Sequence, residues 1–418
     1  MLKHHINAIL DYLHNHSDEL LEYACELIAT PSMNPPGDER AMAKAVINRL
    51  EMLGIRGAEV RAKAPGRPNV ICTLPGPLEG RVFMLTGHLD TKPYGDLSQW
   101  RTDPLHGEIV GGQLYGLGIG DMKGALAAMV YAAAALRVNA VPLGGSLSLV
   151  FTADEEAGGA YGADYLVEEN LVRADAALLG EPAGVHREWE SICLVSRGNT
   201  CFRTKVWGTQ MHSSVSDILP SINASVKMAH VLWRMQRDLL PRIQFDPHPY
   251  CPQGPTLNVG VMVQGGIFWG VYPGYAEFAT DFRTLPGMTQ DGVRRDLEAF
   301  LDELRKEDPE LKVEVQFEPL PLGWIPPSEI GGDHPLVAAL RSACQTVFGE
   351  APPFGAIPGT TDAPKFQFGL GIPTVPAFGP GVIPLAHSPN EHIRVESLLE
   401  AAEVYALCAV NYLGLRDE

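Results

Sequence analysis

The sequence predicts an α/β protein in which a catalytic domain with a mostly parallel sheet is interrupted by a smaller α+β domain. Continuous apolar strands alternate with helices in both outer parts of the chain, which is typical of a parallel sheet covered on both faces. After Glu181 the order of elements changes to β-α-β-β-α-β, the order of a complete ferredoxin-like unit. The 418 residues also exceed what one hydrophobic core usually spans, so two domains are expected.

Residues 1–188 are predicted to form the first part of the catalytic domain. Apolar residues near helical spacing predict a helix over residues 6–28, and Pro35 and Pro36 then exclude any continuation. The same criteria give further helices at 39–52, 122–136 and 161–169, and strands at 82–86, 146–152 and 176–180.

Residues 189–320 are predicted to form the inserted domain, and residues 321–418 the second part of the catalytic domain. The elements expected in the insertion are strands at 192–207, 256–263, 275–283 and 311–318 and helices at 220–236 and 289–306. The elements expected in the last part are helices at 334–348 and 396–412 and a strand at 374–378.

The composition is normal for a globular protein, and the charge argues against one class of partner. Apolar residues make up 45% and charged residues 20%, and the net charge of −18 is spread without an acidic run. Phosphate binding needs clustered Lys and Arg, so no nucleic-acid partner is expected. The seven cysteines are scattered without a CxxC pair, which favours a reducing, cytoplasmic compartment.

No targeting signal or membrane partner is expected either. Asp11, His14 and Asp18 interrupt any apolar run at the N-terminus, which is untypical of a signal peptide. No stretch reaches the roughly 20 apolar residues that cross a bilayer.

Two segments place metal-binding residue types next to a strand or helix end. His88 and Asp90 follow the strand in RVFMLTGHLDTKP and share one face of an extended chain, although such a pair is more often a loop ion pair or cap. Asp121 begins the helix after LYGLGIG, where an ordinary N-cap aspartate is the alternative. The glycine spacing there fits neither a dinucleotide-binding loop nor a phosphate-binding loop.

Two adjacent carboxylates, Glu155 and Glu156, follow the buried strand in SLSLVFTADEEAGG. Like charges repel, so this pairing usually needs compensating positive charge, and a solvated loop pair is the alternative. In a turn the two side chains diverge, so one can bind metal while the other faces the reacting water. Glu181 follows the strand AALLG, and His387 lies in the loop PLAHSPNEH; neither is informative alone.

Most of the candidate residues share one position in the predicted sheet, the carboxyl end of a strand or the start of the next helix. These are His88, Asp121, Glu155, Glu156 and Glu181. Open α/β sheets build their sites at that edge. With His387 the set supplies two histidines and three ligand carboxylates, which suits a pair of zinc or zinc-like ions.

Charge balance separates Glu155 from the ligands. The four positive charges of two divalent ions are offset by Asp121, Glu156, Glu181 and one hydroxide. Glu155 is left over, and an unliganded carboxylate beside a metal-activated water is what a general base requires.

With these residues the sequence resembles the two-zinc aminoacylase/carboxypeptidase family, which includes acetylornithine deacetylase, succinyl-diaminopimelate desuccinylase and glutamate carboxypeptidase. The matching stretches run in the family's order and span most of the chain. They are GHLDTKP, YGLGIGDMKG, TADEEAGG, GEP, HSS, DFRTLPG, GTTDAPKF and HSPNEH. The resemblance implies a zinc-peptidase-like catalytic domain interrupted by a lid, through which two chains form a homodimer.

The resemblance also implies a role for each candidate. Two sets of metal ligands are implied, His88, Asp121 and Glu181 for one ion and Asp121, Glu156 and His387 for the other. Asp121 would bridge the ions and would be followed by a cis peptide bond. Asp90 would orient His88, and Glu155 would deprotonate the water between the metals and then protonate the leaving amine. Zinc is favoured, with cobalt and manganese as alternatives.

The inserted domain contributes further implied residues. His212, in WGTQMHSSV, resembles a histidine that reaches a neighbouring subunit's site to stabilise the oxyanion, and a polar loop histidine is the alternative. Arg283 resembles a clamp on the substrate carboxylate, and a sheet ion pair with Asp281 is the alternative. Weaker candidates for the same pocket are Asn258, Gly359 and Thr360.

These features favour hydrolysis of the amide bond of an N-acyl amino acid, as in deacetylation or desuccinylation, by water bridging two metals. A carboxypeptidase or dipeptidase acting on short peptides is the first alternative, because the chemistry is shared. A non-catalytic metal-binding relative is an alternative of another class. Such a protein should lack the base or a ligand, whereas Glu155 and all five predicted ligands are present.

Overall fold

The computed structural model describes residues 2–416, which divide into two compact units. Unit 1 comprises Met1–Ser196, Ser328–Ile357 and Thr361–Glu418, and unit 2 comprises Arg197–Pro327 and Pro358–Thr360. Unit 2 is therefore an insertion in the sequence of unit 1. It begins at Arg197 rather than at the predicted residue 189, because the strand that ends at Ser196 pairs within unit 1.

The helices lie in both units. In chain order they are α1 (Leu2–Asn15), α2 (Ser17–Ile28), α3 (Arg40–Met52), α4 (Gly124–Val138), α5 (Ala163–Glu168), α6 (Ala224–Asp238), α7 (Gln290–Glu307), α8 (Pro335–Phe348), α9 (Ala363–Leu370) and α10 (Val395–Leu413).

The strands are short outside the two main sheets. In chain order they are β1 (Glu59–Ala62), β2 (Pro68–Leu74), β3 (Val82–His88), β4 (Glu108–Val110), β5 (Gln113–Tyr115), β6 (Ser146–Thr152), β7 (Ala176–Leu179), β8 (Pro182–Gly184), β9 (Ile192–Ser196), β10 (Gly198–Trp207), β11 (Met211–His212), β12 (Thr256–Gly265), β13 (Val271–Tyr272), β14 (Tyr275–Thr284), β15 (Lys312–Phe317), β16 (Ser328–Glu329), β17 (Phe354–Ile357), β18 (Thr374–Val375), β19 (Gly379–Val382) and β20 (His392–Arg394).

The prediction of a single helix over residues 6–28 is wrong, because two helices, α1 and α2, cover this stretch. The break falls at His16, whose φ of −115° and ψ of 18° are not helical. The second helix then restarts with Asp18 and Glu19 in its first turn, where negative charge interacts favourably with the helix dipole.

The main sheet of unit 1 has the strand order β1-β2-β6-β3-β7-β18. The neighbours β6, β3, β7 and β18 run parallel, while β1 and β2 are antiparallel additions at one edge. Strands β3 and β6 are buried along almost their whole length, as expected for a sheet covered on both faces. Their parallel pairing brings the carboxyl ends at His88 and Thr152 side by side.

Helix α4 is the central buried helix of unit 1. Its residues from Gly124 to Leu136 are all buried, and alanine at most positions allows close packing of α10. By length and composition alone, the segment Ile119–Val138 could cross a membrane, but its apolar 18-residue window is entirely buried, as in the core helix of a globular protein. Asp121, Lys123 and Arg137 interrupt the segment, so it does not contain the run of roughly 20 apolar residues whose absence was expected.

Unit 2 contains an antiparallel sheet with the strand order β12-β14-β10-β15 and the two helices α6 and α7. Along the chain its main elements follow the order β-α-β-β-α-β. The single strand predicted over residues 192–207 is wrong, since it divides at Arg197 into β9 and β10. The division separates β9, which pairs with β16 and β17, from β10, which pairs with β14 and β15.

Candidate active site

The structure brings the five predicted metal ligands together at one edge of unit 1. His88 ends β3, Asp121 precedes α4, Glu156 lies in a 3₁₀ turn just after β6, and Glu181 follows β7. His387 comes from the loop between β19 and β20. Parallel strands end at the same edge of a sheet, so these separate segments converge there.

Asp121 lies at the centre of the cluster. Its Oδ1 is 2.9 Å from Nε2 of His88, and its Oδ2 is 3.1 Å from Nε2 of His387. Each carboxylate oxygen thus faces a different imidazole, an arrangement that suits a carboxylate bridging two cations. The peptide bond between Asp121 and Met122 is cis, as the family resemblance implied.

The other two ligand carboxylates each lie beside one of the histidines. Glu156 Oε2 is 3.0 Å from Nε2 of His387, and Glu181 Oε1 is 3.7 Å from Nε2 of His88. One ligand atom each from His88, Asp121 and Glu156 lies within 4.8 Å of the others, and the same holds for His88, Glu155 and Glu181. This buried set of nitrogen and oxygen donors fits the chemistry of zinc-like divalent ions.

Asp90 contacts His88 mainly through its main chain. Its carbonyl oxygen accepts a hydrogen bond from His88 Nδ1 at 2.9 Å, whereas its carboxylate oxygen lies 3.6 Å from the same nitrogen. The Asp90 carboxylate instead accepts the backbone N–H groups of Glu155 and Glu156, both at 3.1 Å. Asp90 therefore connects the His88 segment to the turn that carries the predicted base.

Four buried residues that were not predicted extend this connection. Asn34 Nδ2 donates to the carboxylates of Asp90 at 2.8 Å and Asp154 at 3.0 Å. Arg67 forms ion pairs with Asp154 at 2.5 Å and with the fully buried Glu39 at 2.9 Å. The prolines in TPSMNPPG predicted only the end of a helix. No sequence pattern indicated that Asn34 or Arg67 lies near the site.

Two lysines also hold the segment that carries Glu155 and Glu156. Lys92 pairs with Glu156 Oε2 at 3.3 Å and donates its backbone N–H to Oε1 of the same residue. Lys365 Nζ donates to the Gly158 carbonyl at 2.7 Å. These cations offset part of the negative charge concentrated in this turn.

Crowding of carboxylates in a buried site alters the proton affinity of the whole cluster. Burial raises the pKa of Glu155 to about 8, against the opposing effect of His88. Burial and the charge of Asp121 raise the pKa of Glu181. Burial disfavours protonated His387, but its hydrogen bonds to Asp121 and Glu156 outweigh this and raise its pKa to about 10.

The predicted substrate-binding residues of unit 2 share one region of that unit. Arg283 pairs with Asp281 at 2.9 Å, and its guanidinium donates to Thr360 Oγ1 at 3.3 Å. Asn258 of β12 is the register partner of Asp281 in β14, so both lie on the same face of the sheet. The ion pair with Asp281 was the alternative explanation for Arg283, and the structure contains it.

His212 is exposed in unit 2 and has a defined hydrogen-bond pattern. Its Nδ1 accepts from the backbone N–H of Ser214 at 3.2 Å and lies 2.8 Å from the Ser214 hydroxyl. A ring nitrogen that accepts carries no proton, so a neutral His212 carries its proton on Nε2. That nitrogen can donate a hydrogen bond.

The sequence model of Peptidase family M20/M25/M40 matches residues 84–411, a range that includes all five predicted ligands. The chain belongs to this family. The match also covers Glu155 and the whole of unit 2, so it spans both units.

Two relatives with similar sequences have names that specify different acyl groups, acetyl and succinyl. The chain is 32% identical over 352 residues to acetylornithine deacetylase of Myxococcus xanthus, covering 83% of this chain and 85% of that one. It is 28% identical over 404 residues to succinyl-diaminopimelate desuccinylase of Alkalilimnicola ehrlichii, covering 95% and 100%.

The fold is that of solved M20 structures. An M20 metallo-carboxypeptidase from Sulfolobus solfataricus aligns with a TM-score of 0.75 at 21% identity, covering 95% of this chain and 100% of that one. Membership of the M20/M25/M40 family identifies the chain as a metal-dependent hydrolase of C–N bonds.

Raised proton affinity makes the metal-free M20 site sensitive to pH. The folded-state pKa values of Glu155, about 8, and His387, about 10, exceed their ordinary values of 4.5 and 6.5. The folded site therefore binds more protons than the unfolded chain across this range, and the free energy of unfolding should fall as pH rises. His387 contributes stability that is complete below pH 6.5 and lost through pH 10.

Urea unfolding of chelator-treated protein at pH 6 and pH 9 measures this effect. The midpoint should be lower at pH 9, and added Zn²⁺ should raise it there because metals bind the unprotonated ligands. Glu155→Gln, which removes one titrating group, should reduce the slope. A metal-free midpoint that is constant or rises between the two pH values would contradict the prediction.

Proposed function

We propose that the protein is a deacylase that cleaves the amide bond of an N-acyl amino acid with two divalent metal ions and a glutamate base. The observation that carries this proposal is the position of Asp121, whose two carboxylate oxygens face the imidazoles of His88 and His387. Glu155 supplies a further carboxylate within 4.8 Å of ligand atoms of His88 and Glu181.

The residues present fit two metal sites that share one ligand. One ion would be held by His88, Asp121 and Glu181, and the other by Asp121, Glu156 and His387. Zinc suits this mixture of imidazole and carboxylate, and cobalt and manganese are alternatives. When bound, such ions would lower the pKa of the attacking water and polarise the scissile carbonyl.

Glu155 acts as the general base and then as the general acid. It accepts a proton from the attacking water as the new C–O bond forms, and it delivers that proton to the amide nitrogen as the C–N bond breaks. The products are a carboxylic acid and a free amine. Burial raises the pKa of this carboxyl to about 8 in the metal-free site, and the two cations would lower it, which would favour the ionised form that accepts the proton.

We propose that unit 2 is a ferredoxin-like lid that also forms a homodimer. Its β-α-β-β-α-β order supports the ferredoxin-like assignment. Strand β12 is an edge strand whose residues Val261, Met262 and Val263 are each more than half exposed. Unpaired edges of this kind are templates for pairing with another chain. In this dimer Nε2 of His212 would donate to the oxyanion in the neighbouring site.

The substrate is proposed to carry a carboxylate on its amino-acid side, bound by Arg283 with Thr360, Gly359 and Asn258 nearby. The relatives named as a deacetylase and a desuccinylase support an N-acyl amino acid. A carboxypeptidase or dipeptidase function is the alternative, because a solved structure with the same fold is a carboxypeptidase. We also propose a cytoplasmic location, because the seven cysteines are scattered along the sequence without a CxxC pair.

Glu155→Gln should keep its bound metal and lose turnover by about 10²–10⁴-fold, because an amide cannot carry the proton. Metal-loaded enzyme is assayed for product release with N-acetyl, N-succinyl and N-formyl amino acids and with dipeptides. The exposed Glu169→Gln is the matched control and should keep its activity. Near wild-type turnover in Glu155→Gln would refute the base assignment, and release from dipeptides alone would favour the peptidase alternative.

Arg283→Lys should raise KM by roughly 10- to 100-fold with little change in kcat, because a lysine cannot bind a carboxylate in the two-pronged way a guanidinium does. The exposed Arg295→Lys is the control. A substrate amidated at its carboxylate should be equally poor with wild type and Arg283→Lys. If the variant still discriminates against the amidated substrate as strongly as wild type does, another residue binds the carboxylate.

The wild-type chain should sediment as a dimer, and Val263→Asp should shift it toward monomer because a charge at the edge of β12 opposes pairing. Val60→Asp, on the exposed edge strand β1 of unit 1, is the matched control and should stay dimeric. Activity should fall with the dimer if His212 acts across it. A fully active monomer would exclude that role.

A further inference from the structure

Glu391 is a buried carboxylate next to the metal-ligand cluster that none of the steps above uses. Only 2% of its surface is exposed. It lies four residues after His387, just before β20, in the segment HSPNEH. A buried carboxylate is costly unless hydrogen bonds or a counter-charge compensate it, so its partners indicate why it is there.

The partners of Glu391 are all backbone N–H groups of the loop that carries Asp121. Its Oε2 accepts from Gly118 at 2.7 Å, and its Oε1 accepts from Gly120 at 2.8 Å and from Asp121 at 3.0 Å. Its own carbonyl oxygen accepts the N–H of Gly116 at 3.1 Å. Four hydrogen bonds thus join one residue to four backbone N–H groups within the loop Gly116–Asp121.

This loop needs an external partner because its backbone is irregular. Gly118 has a φ of +75°, and Asp121 and Met122 depart from helical geometry before α4 begins. Its N–H groups converge on one point, which is the arrangement that binds an anion. The buried Lys123 also interacts electrostatically with Glu391.

The same segment also delivers the second histidine. His387 reaches Oδ2 of Asp121 at 3.1 Å, while Glu391 holds the Asp121 main chain. The segment HSPNEH therefore binds the backbone of Asp121 through Glu391 and contacts the Asp121 side chain through His387. A small shift of the loop would move both oxygens of Asp121 relative to the two histidines.

We propose that Glu391 is a positioning residue that sets the place of Asp121 between His88 and His387 before metal binds. This rests on the proposed two-metal function. Residues that orient metal ligands typically change metal affinity about 10–100-fold when they are replaced. A residue needed only for folding would change stability and leave the affinity of the folded protein unchanged.

Glu391→Gln tests the proposal, because glutamine has nearly the same volume but has one acceptor oxygen where the carboxylate has two. Chelator-treated protein is titrated with Zn²⁺ by calorimetry, and the visible spectrum of the Co²⁺-loaded protein reports ligand geometry. We expect at least tenfold weaker binding of one metal equivalent and an altered Co²⁺ spectrum, with circular dichroism like that of wild type.

Glu403→Gln is the matched control. Glu403 is another carboxylate buried in unit 1, 7% exposed, on α10, where it pairs with His14 at 3.2 Å rather than with a loop of the cluster. This variant should bind Zn²⁺ and Co²⁺ as wild type does, even if its stability falls.

A folded Glu391→Gln with wild-type Zn²⁺ affinity and an unchanged Co²⁺ spectrum overturns the proposal. If this variant does not fold, Glu391→Asp is measured in the same way, since it keeps the charge but is one methylene too short to reach all three N–H groups. Weakened metal binding in the folded Asp variant supports the proposal. Unchanged binding, or failure of both variants to fold, overturns it. A wild-type protein that binds no metal would instead refute the proposed function itself.

Discussion

Negative charge is crowded around His88, and the surrounding structure has to offset the repulsion that results. Asp121, Glu156 and Glu181 are buried near one another, and the half-buried Glu155 lies beside them. Carboxylates in such a place repel each other and lose hydration, so they need compensating cations or bound protons. Burial raises the pKa of Glu155 and Glu181, and the two proposed metal ions would supply the positive charge that the cluster lacks.

The scaffold holds this unfavourable cluster by spreading its members over rigid elements. Parallel strands β3, β6 and β7 end at one edge, and helix α4, buried from Gly124 to Leu136, fixes the segment that follows Asp121. Hydrogen bonds from Asn34 to the carboxylates of Asp90 and Asp154 also connect the segments around the cluster. Each ligand is therefore held by hydrogen bonds or packing that do not depend on the metal.

Periodicity and strand-end position were enough to predict much of the fold and most of the cluster. The alternation of apolar strands and helices predicted the mostly parallel sheet, and the segments at its carboxyl edge predicted which side chains would meet. The errors were local: a helix that breaks at His16 and a strand that divides at Arg197. The division at Arg197 depends on pairing with strands distant in sequence, which periodicity along one segment does not contain.

Short patterns of apolarity and side-chain chemistry were sufficient to predict the fold class and the residue types of the candidate site. The tertiary structure shows how those residues are held. The bonds from Asn34 to Asp154 and from Glu391 to the Gly118–Asp121 loop join residues 120 to 273 positions apart. It also decided that the Asp90 carbonyl, rather than its carboxylate, lies nearest His88. Contacts of that range arise from the folded topology, and no local pattern specifies them.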